Sequence, residues 1–326
     1  MSPRLAAPLI ALSLGLASPA AASADAPLRV LATVGVLADV AAAVGGPCTE
    51  VESLIAADVD PHEYSARPSD IGRLESAELI LYVDFALEEQ LASALERFAE
   101  RVPTLGVLAA AFDRADLLSD PDSPNAIDPH VWMDARKWSR LAPVIAEAVA
   151  DARPACAADA RANADTFVAQ LDALHGWVAD AIATIPEGRR LLVTAHDAFE
   201  YFSAAYGIEA SEAIEGLSTT TEASIADIRA VADFVTERQV PAVFVETTVN
   251  PRTIEAMVQE VRARGHDVAI GGTLYSDGMG AAGTAEGTYI GMLRANTVTI
   301  VNALGGTLPS WPEALVDWAE AWSVSD

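Results

Sequence analysis

The chain has 326 residues, 52% of them hydrophobic and 21% charged, a composition that excludes an intrinsically disordered chain and allows two ordinary domains. Its 47 acidic residues against 20 basic ones give a formal charge of −27, which repels nucleic acid and anionic lipid and attracts cations. Nucleic-acid binding is therefore excluded as a working function.

The first 24 residues read as a secretory signal. Arg4 precedes the apolar run Leu5 to Leu16, and the small-residue stretch Ala17 to Ala24 carries Ala-x-Ala-like triplets such as Ala20 to Ala22. The run is too short to span a bilayer comfortably, so cleavage between Ala20 and Asp25 is expected rather than a membrane anchor. No Cys lies near that cut, so the mature chain is expected free of lipid, in a periplasm. The two cysteines, Cys48 and Cys156, are not in a metal-type spacing. A disulfide and two separate buried thiols both remain open to this reading.

From Leu28 onward short β-rich runs alternate with helical ones. Strands are expected at Arg29 to Val34, Val51 to Ile55, Leu79 to Val83 and Val102 to Leu105. The helices between them are Gly35 to Val44, Pro68 to Ala77 and Leu87 to Arg101. This is the β-α-β order of a parallel sheet covered by helices. Ala135 to Ala150 reads as a helix ended by Pro154. Ala155 to Ile185 then reads as one long Ala-rich helix, with Phe167, Leu171, Leu174 and Val178 at helical spacing. A rigid strut between two lobes is one economical role for it. The alternation restarts with strands at Leu191 to Thr194, Ala242 to Val245 and Val268 to Ile270. Helices follow at Thr221 to Arg238, Pro251 to Gly265 and Thr288 to Leu304. Thr219-x-x-Glu222 resembles a capping box for the first of these. The fold expected is α/β, with lobes at 25–153 and 187–326 joined by a linker helix at 154–186. Ligands of such sheets sit beyond the carboxyl ends of the strands.

Only five histidines occur: His62, His130, His175, His196 and His266. His62 and His130 each close an Asp-Pro-His triplet, and His196 directly follows a predicted strand. Asp277 lies just beyond the last one. The proline stiffens the backbone before each of the first two imidazoles. Neutral imidazole suits zinc, and a carboxylate completes a tetrahedral shell. Asp134, Glu200 and Glu246 are candidates to orient the rings from behind. His175, within the long helix, and His266, at a helix end, read as ordinary surface or capping residues.

Asp60-Pro-His-Glu-Tyr64, Asp128-Pro-His-Val-Trp-Met-Asp134, Thr194-Ala-His-Asp-Ala-Phe-Glu-Tyr-Phe202 and Thr273-Leu-Tyr-Ser-Asp277 together resemble the ligand motifs of one family. It is the zinc/manganese solute-binding proteins of ABC importers, the cluster A-I periplasmic binding proteins. The resemblance runs in order along nearly the whole mature chain, through Glu215 to Glu222 and on to Tyr289 to Asn296. It implies His62, His130, His196 and Asp277 as ligands of one Zn(II), which is cargo, with Mn(II) as the alternative. It also implies two α/β lobes joined by a rigid helix, metal in the cleft between them, and no catalysis. The partner implied is an ABC permease in the inner membrane, approached by a monomer. Manganese-selective members often carry Glu where this chain has His196, so the donor set favours zinc. One departure from zinc importers is the absence of a His-rich loop. The segment 113–129 holds Asp113, Asp116, Asp120, Asp122 and Asp128 but no histidine. These carboxylates read as a solvated loop, and a metallochaperone could stand in for the missing histidines.

Two rival classes are weaker. A zinc hydrolase with Glu200 or Glu246 as base lacks a His-Glu-x-x-His stretch, a Gly-x-Ser-x-Gly stretch and a phosphate loop. A binder of metal chelates would need an aromatic or Arg-lined cleft and not the four ligands. Release of the ion is expected to move mainly the Gly-rich segment Gly271 to Gly287.

Overall fold

A computed structural model describes residues 26–85, 87–119, 125–221 and 223–324. The proposed signal segment lies outside them. The first lobe is built from β1 (Leu28–Ala32), α1 (Gly35–Gly45), β2 (Thr49–Ser53), α2 (Pro68–Ser76), β3 (Leu79–Tyr82), α3 (Ala92–Ala99), β4 (Thr104–Gly106) and α4 (Val107–Ala111). Its strands form one parallel sheet in the order β2-β1-β3-β4. The chain reverses direction across the sheet between β1 and β3, the point at which such sheets open a crevice.

The next helices are α5 (Ala135–Ser139), α6 (Leu141–Ala152) and the 27-residue α7 (Ala157–Ala183). The second lobe carries β5 (Leu191–His196), α8 (Glu200–Tyr206), β6 (Ala210–Glu215), α9 (Ile225–Arg238), β7 (Ala242–Glu246), α10 (Arg252–Ala263), β8 (Ala269–Leu274), α11 (Tyr289–Leu304) and α12 (Val316–Ala321). Here the strands pair in parallel as β5-β6 and β7-β8, with β5 lying beside β7.

The expected long helix is present, and it is more than a strut. Ala160, Ala164, Phe167, Leu171, Leu174, Trp177, Val178, Ala181 and Ile182 are all buried, at spacings of one to four residues that keep them on one stripe. That stripe packs on α1, α5 and α6 from one lobe and on α8 and α11 from the other. One hydrophobic core accordingly runs from β1 through α7 into α11, while a smaller one fills the β5–β8 side beneath α9 and α10. His175 sits on this helix only partly exposed, its Nδ1 3.3 Å from Asp134 and its ring 5.0 Å from that of Tyr206. It is an internal contact of the helix rather than a surface residue. His266 offers Nε2 to the Val240 carbonyl at 2.7 Å.

Three elements depart from expectation for identifiable reasons. The helix expected over Ala135 to Ala150 is two helices, because Pro143 has no N–H to give the Ser139 carbonyl. The helix expected from Leu87 starts at Ala92. The buried Glu88 side chain instead accepts from the backbone N–H groups of Val83 and Asp84 and the hydroxyl of Thr33. Helix α9 starts at Ile225, where Ser224 and Asp227 cap reciprocally; the box expected at Thr219 does not open it, and Glu222 lies outside the described residues. Strand β6 was absent from the sequence reading because Ser211, Glu212 and Glu215 give it a polar pattern.

Cys48 and Cys156 form a disulfide across 108 residues, with Cα atoms 6.0 Å apart. It ties the turn before β2 to the turn that opens α7, at the amino end of the sheet, away from the strand ends where ligands sit. In the chain-entropy account, closing a loop of this size stabilises by about 4–5 kcal/mol, of which measured values often recover about 2–4. The double variant Cys48→Ser/Cys156→Ser is thus expected to lose about 2–4 kcal/mol in denaturant unfolding while metal affinity changes little. Equal unfolding midpoints for the two proteins would contradict this.

Candidate metal centre

Both Asp-Pro-His triplets fold into the same local turn. Asp60 Oδ1 accepts the His62 backbone N–H at 2.8 Å, and Asp128 Oδ1 accepts that of His130 at 2.8 Å. A carboxylate bonding the backbone two residues on is an Asx turn, and the intervening proline fixes its φ. The sequence thus rigidifies each imidazole's backbone before any ligand arrives. His62 stands in the loop after β2, and His130 enters a 3₁₀ turn, Val131–Met133. His196 is the last residue of β5, and Asp277 follows β8 by three residues. All four lie beyond, or at, the carboxyl ends of parallel strands or in the loop that faces them.

The four residues meet where the lobes meet. Each can offer one atom to a common ion, and those atoms lie within 4.8 Å of one another. Nε2 of His62 is 3.4 Å from Nε2 of His130 and 3.6 Å from Asp277 Oδ2. Nε2 of His130 is 3.4 Å from Asp277 Oδ1, and Nε2 of His196 is 3.2 Å from Oδ2. A tetrahedron with zinc–ligand bonds of about 2.0–2.1 Å has edges of about 3.3–3.4 Å. The four separations of 3.2–3.6 Å lie near that edge length, and one donor atom from each residue falls within 4.8 Å of the others. Among the described residues, both Asp277 oxygens and Nε2 of His196 are buried and face one another and the other two rings. A buried carboxylate and three imidazole nitrogens converging on one point, with no other partners for the carboxylate among the described residues, fit a cation.

Carboxylates behind the rings set their orientation. Asp128 Oδ1 lies 2.7 Å from Nδ1 of His130, and Glu246 Oε2 lies 2.6 Å from Nδ1 of His196. Each pairing places a ring proton on Nδ1 and turns Nε2 toward the site. Glu246 Oε1 also accepts the backbone N–H groups of Ala195 and His196, at 2.7 and 3.0 Å. Of the three candidates for this role, Glu246 alone fills it. Asp134 instead caps α5 and faces His175, and Glu200 lines a separate cavity. Asp128, expected in a solvated loop, is 1% exposed and does what Asp134 was expected to do. Asp116 of that loop is exposed beside Arg140, in line with the expectation, and Asp120 and Asp122 lie outside the described residues.

The electrostatics are those of a charge trap. Burial alone would raise the Asp277 carboxyl, but the His196, His130 and His62 rings overcome it and hold it well below the ordinary carboxylate range. Burial likewise disfavours a charged imidazole, yet Asp128 and Asp277 outweigh it at His130, and Glu246 and Asp277 do so at His196. Both rings are raised above their usual value.

Hydrogen bonds outside the four candidate residues also join the lobes, two of them close to the site. Trp132 Nε1 donates to the Ser276 carbonyl at 2.9 Å, and Thr219 Oγ1 donates to Asp60 Oδ2 at 2.6 Å. Sequence reading gave no signal for either. Gly278 packs against Ala57, where a Cβ would fall 2.1 Å from the carbonyl oxygen, so the glycine there serves close approach of the two lobes.

The family described as "Zinc-uptake complex component A periplasmic" (ZnuA) matches residues 30–303. The chain belongs to this family. Among its members, the "Manganese-binding lipoprotein MntA" of Bacillus subtilis (strain 168) is 40% identical over 282 residues, covering 86% of this chain and 91% of that protein. The "Zinc-binding protein TroA" of Treponema pallidum (strain Nichols) is 37% identical over 283 residues, covering 87% and 91%. The solved structure of the periplasmic zinc binding protein TroA from Treponema pallidum superposes with a TM-score of 0.82 at 36% identity, covering 86% of this chain and 99% of that one. Family members are metal-binding solute proteins of transporters, not enzymes. The hydrolase alternative falls with that assignment. Similar members bind zinc in one case and manganese in another, so membership alone leaves the metal open. Among the described residues no helix is long and apolar enough to cross a membrane.

Proposed function

We propose that this protein captures one Zn(II) in the periplasm through His62, His130, His196 and Asp277 and delivers it to the permease of an ABC importer. The carrying observation is the set of four buried residues, drawn two from each lobe, whose donor atoms lie within 4.8 Å of one another. Four protein ligands close a zinc shell, whereas a catalytic zinc keeps a position open for water. Capture therefore suits the site better than turnover. Three imidazoles and one carboxylate also favour zinc over manganese, which prefers oxygen donors.

The ion bridges the lobes, so its loss removes a cross-link. The long α7 is packed against both lobes, which favours loop rearrangement over wide hinge closure on release. Calorimetric titration of metal-free protein tests the reading. One tight zinc and weak manganese are expected, with His196→Glu shifting preference toward manganese by about tenfold or more as an oxygen donor replaces nitrogen. Tighter manganese than zinc in the unaltered protein would overturn the zinc assignment, and absence of both would overturn the site.

A further inference from the structure

The ligands themselves are at most 3% exposed, so an ion reaches them only through the surrounding protein. Against them lies a cavity of about 450 Å³ whose charged lining is wholly acidic: Asp128, Asp197, Glu200, Glu212 and Glu215. No basic side chain lines it among the described residues. None of the four ligands lines it, but three of its carboxylates adjoin them. Asp128 holds the His130 ring, Asp197 follows His196 in the chain, and Glu215 is the register partner of His196 across β5 and β6. The cavity is large enough for a hydrated ion, since six waters at about 30 Å³ each fill about 180 Å³.

A second observation separates this cavity from an ordinary acidic surface. Asp128 is 1% exposed, one of its oxygens is committed to His130, and the other has no hydrogen-bond partner. A buried, unsatisfied carboxylate oxygen in a cavity wall is costly unless something positive visits it. Glu200 tells the same story, its carboxyl raised by burial and then by the Asp128 charge.

We propose that this acidic cavity is the entry vestibule of the site, where a hydrated divalent cation is held by carboxylates before it passes to the four buried ligands. The inference rests on the reading of those ligands as the metal site. Carboxylates around a low-dielectric cleft focus the field and raise the local cation concentration, an effect on association rates of about tenfold or more that salt screens out. No water need be shed until the ion meets Asp128 and the imidazoles behind it.

The test is stopped-flow uptake of zinc ion by the full-length metal-free protein, in competition with a chromophoric chelator, at low and high ionic strength. Glu200→Gln/Glu212→Gln removes two vestibule charges and no proposed ligand. Glu89→Gln/Glu96→Gln removes two charges from another acidic cavity, near α3, and serves as the control. The vestibule variant is expected to bind zinc about 5–10-fold more slowly at low salt, with the difference closing at high salt and the stoichiometry unchanged. The control should stay within about twofold. Equal slowing of both variants would reduce the effect to net charge and overturn the vestibule, as would unchanged rates in both. Failure of the unaltered protein to take up zinc at all would instead refute the metal site itself.

Discussion

Asp277→Asn is expected to lower zinc affinity by about 10³-fold or more while leaving the fold intact. Loss of an outer partner of a ligand costs about 10–100-fold, and a ligand that carries charge contributes more than that. Asp277 is the only anionic member of the proposed ligand set, and its two oxygens lie 3.2–3.6 Å from the three imidazole nitrogens. Asparagine keeps the shape and one oxygen, and the Trp132–Ser276 hydrogen bond still anchors the loop. What disappears is the charge that neutralises half of the dication. A thousandfold loss corresponds to about 4 kcal/mol. Competition against a chelator of known affinity, with circular dichroism to check the fold, measures it. An affinity within tenfold of the unaltered protein would mean that Asp277 is not a ligand.

The same variant has a second signature in the absence of metal. Asp277 is one of the charges that raise His196 and His130. With it gone, both rings should give up their protons at lower pH than before, visible in the imidazole resonances. A site that was merely a buried hydrogen-bond cluster would not link metal affinity and ring titration through one carboxylate.

Much of this site was legible because a chain with five histidines puts three of them at strand ends or beside a stiffening proline. Loop position after a strand survives errors of one or two residues in the strand itself, as at β5, which ends on His196 rather than before it. The supporting groups were harder. Asp134 and Asp128 flank His130 in sequence, and only the turn geometry decides that the residue before the ring, not the one after, reaches Nδ1. Glu246 was legible for the opposite reason: a carboxylate at the end of a strand lands in the same plane as the other strand ends. The break before Pro143 was missed, because the apolar pattern runs on through it and outweighed the missing N–H. Contacts such as Trp132 to Ser276, 144 residues apart, have no local signature, because they follow from how the two lobes meet.

The remaining large effect is that of acid. In the metal-free protein, His130 and His196 are raised above the ordinary imidazole value near 6.5, so both rings keep their protons to higher pH than a free imidazole and metal must displace those protons. Each displaced proton makes affinity fall about tenfold per pH unit below the ring's own value. Between pH 7.5 and 5.5, zinc affinity should therefore drop by about 10²–10⁴-fold, and calorimetry in buffers of different ionisation enthalpy should count the protons released. The sign for stability is opposite in the two forms. A folded-state value raised above the unfolded one stabilises the metal-free protein fully below about pH 6.5, and that stabilisation fades as pH rises through the folded value. Zinc stabilisation instead grows with affinity and so with pH. The gap in melting temperature between zinc-loaded and metal-free protein should open from pH 5.5 to 8, because the loaded form gains while the free form loses. A gap constant over that range, with flat affinity, would show that protons and metal do not compete for these imidazoles.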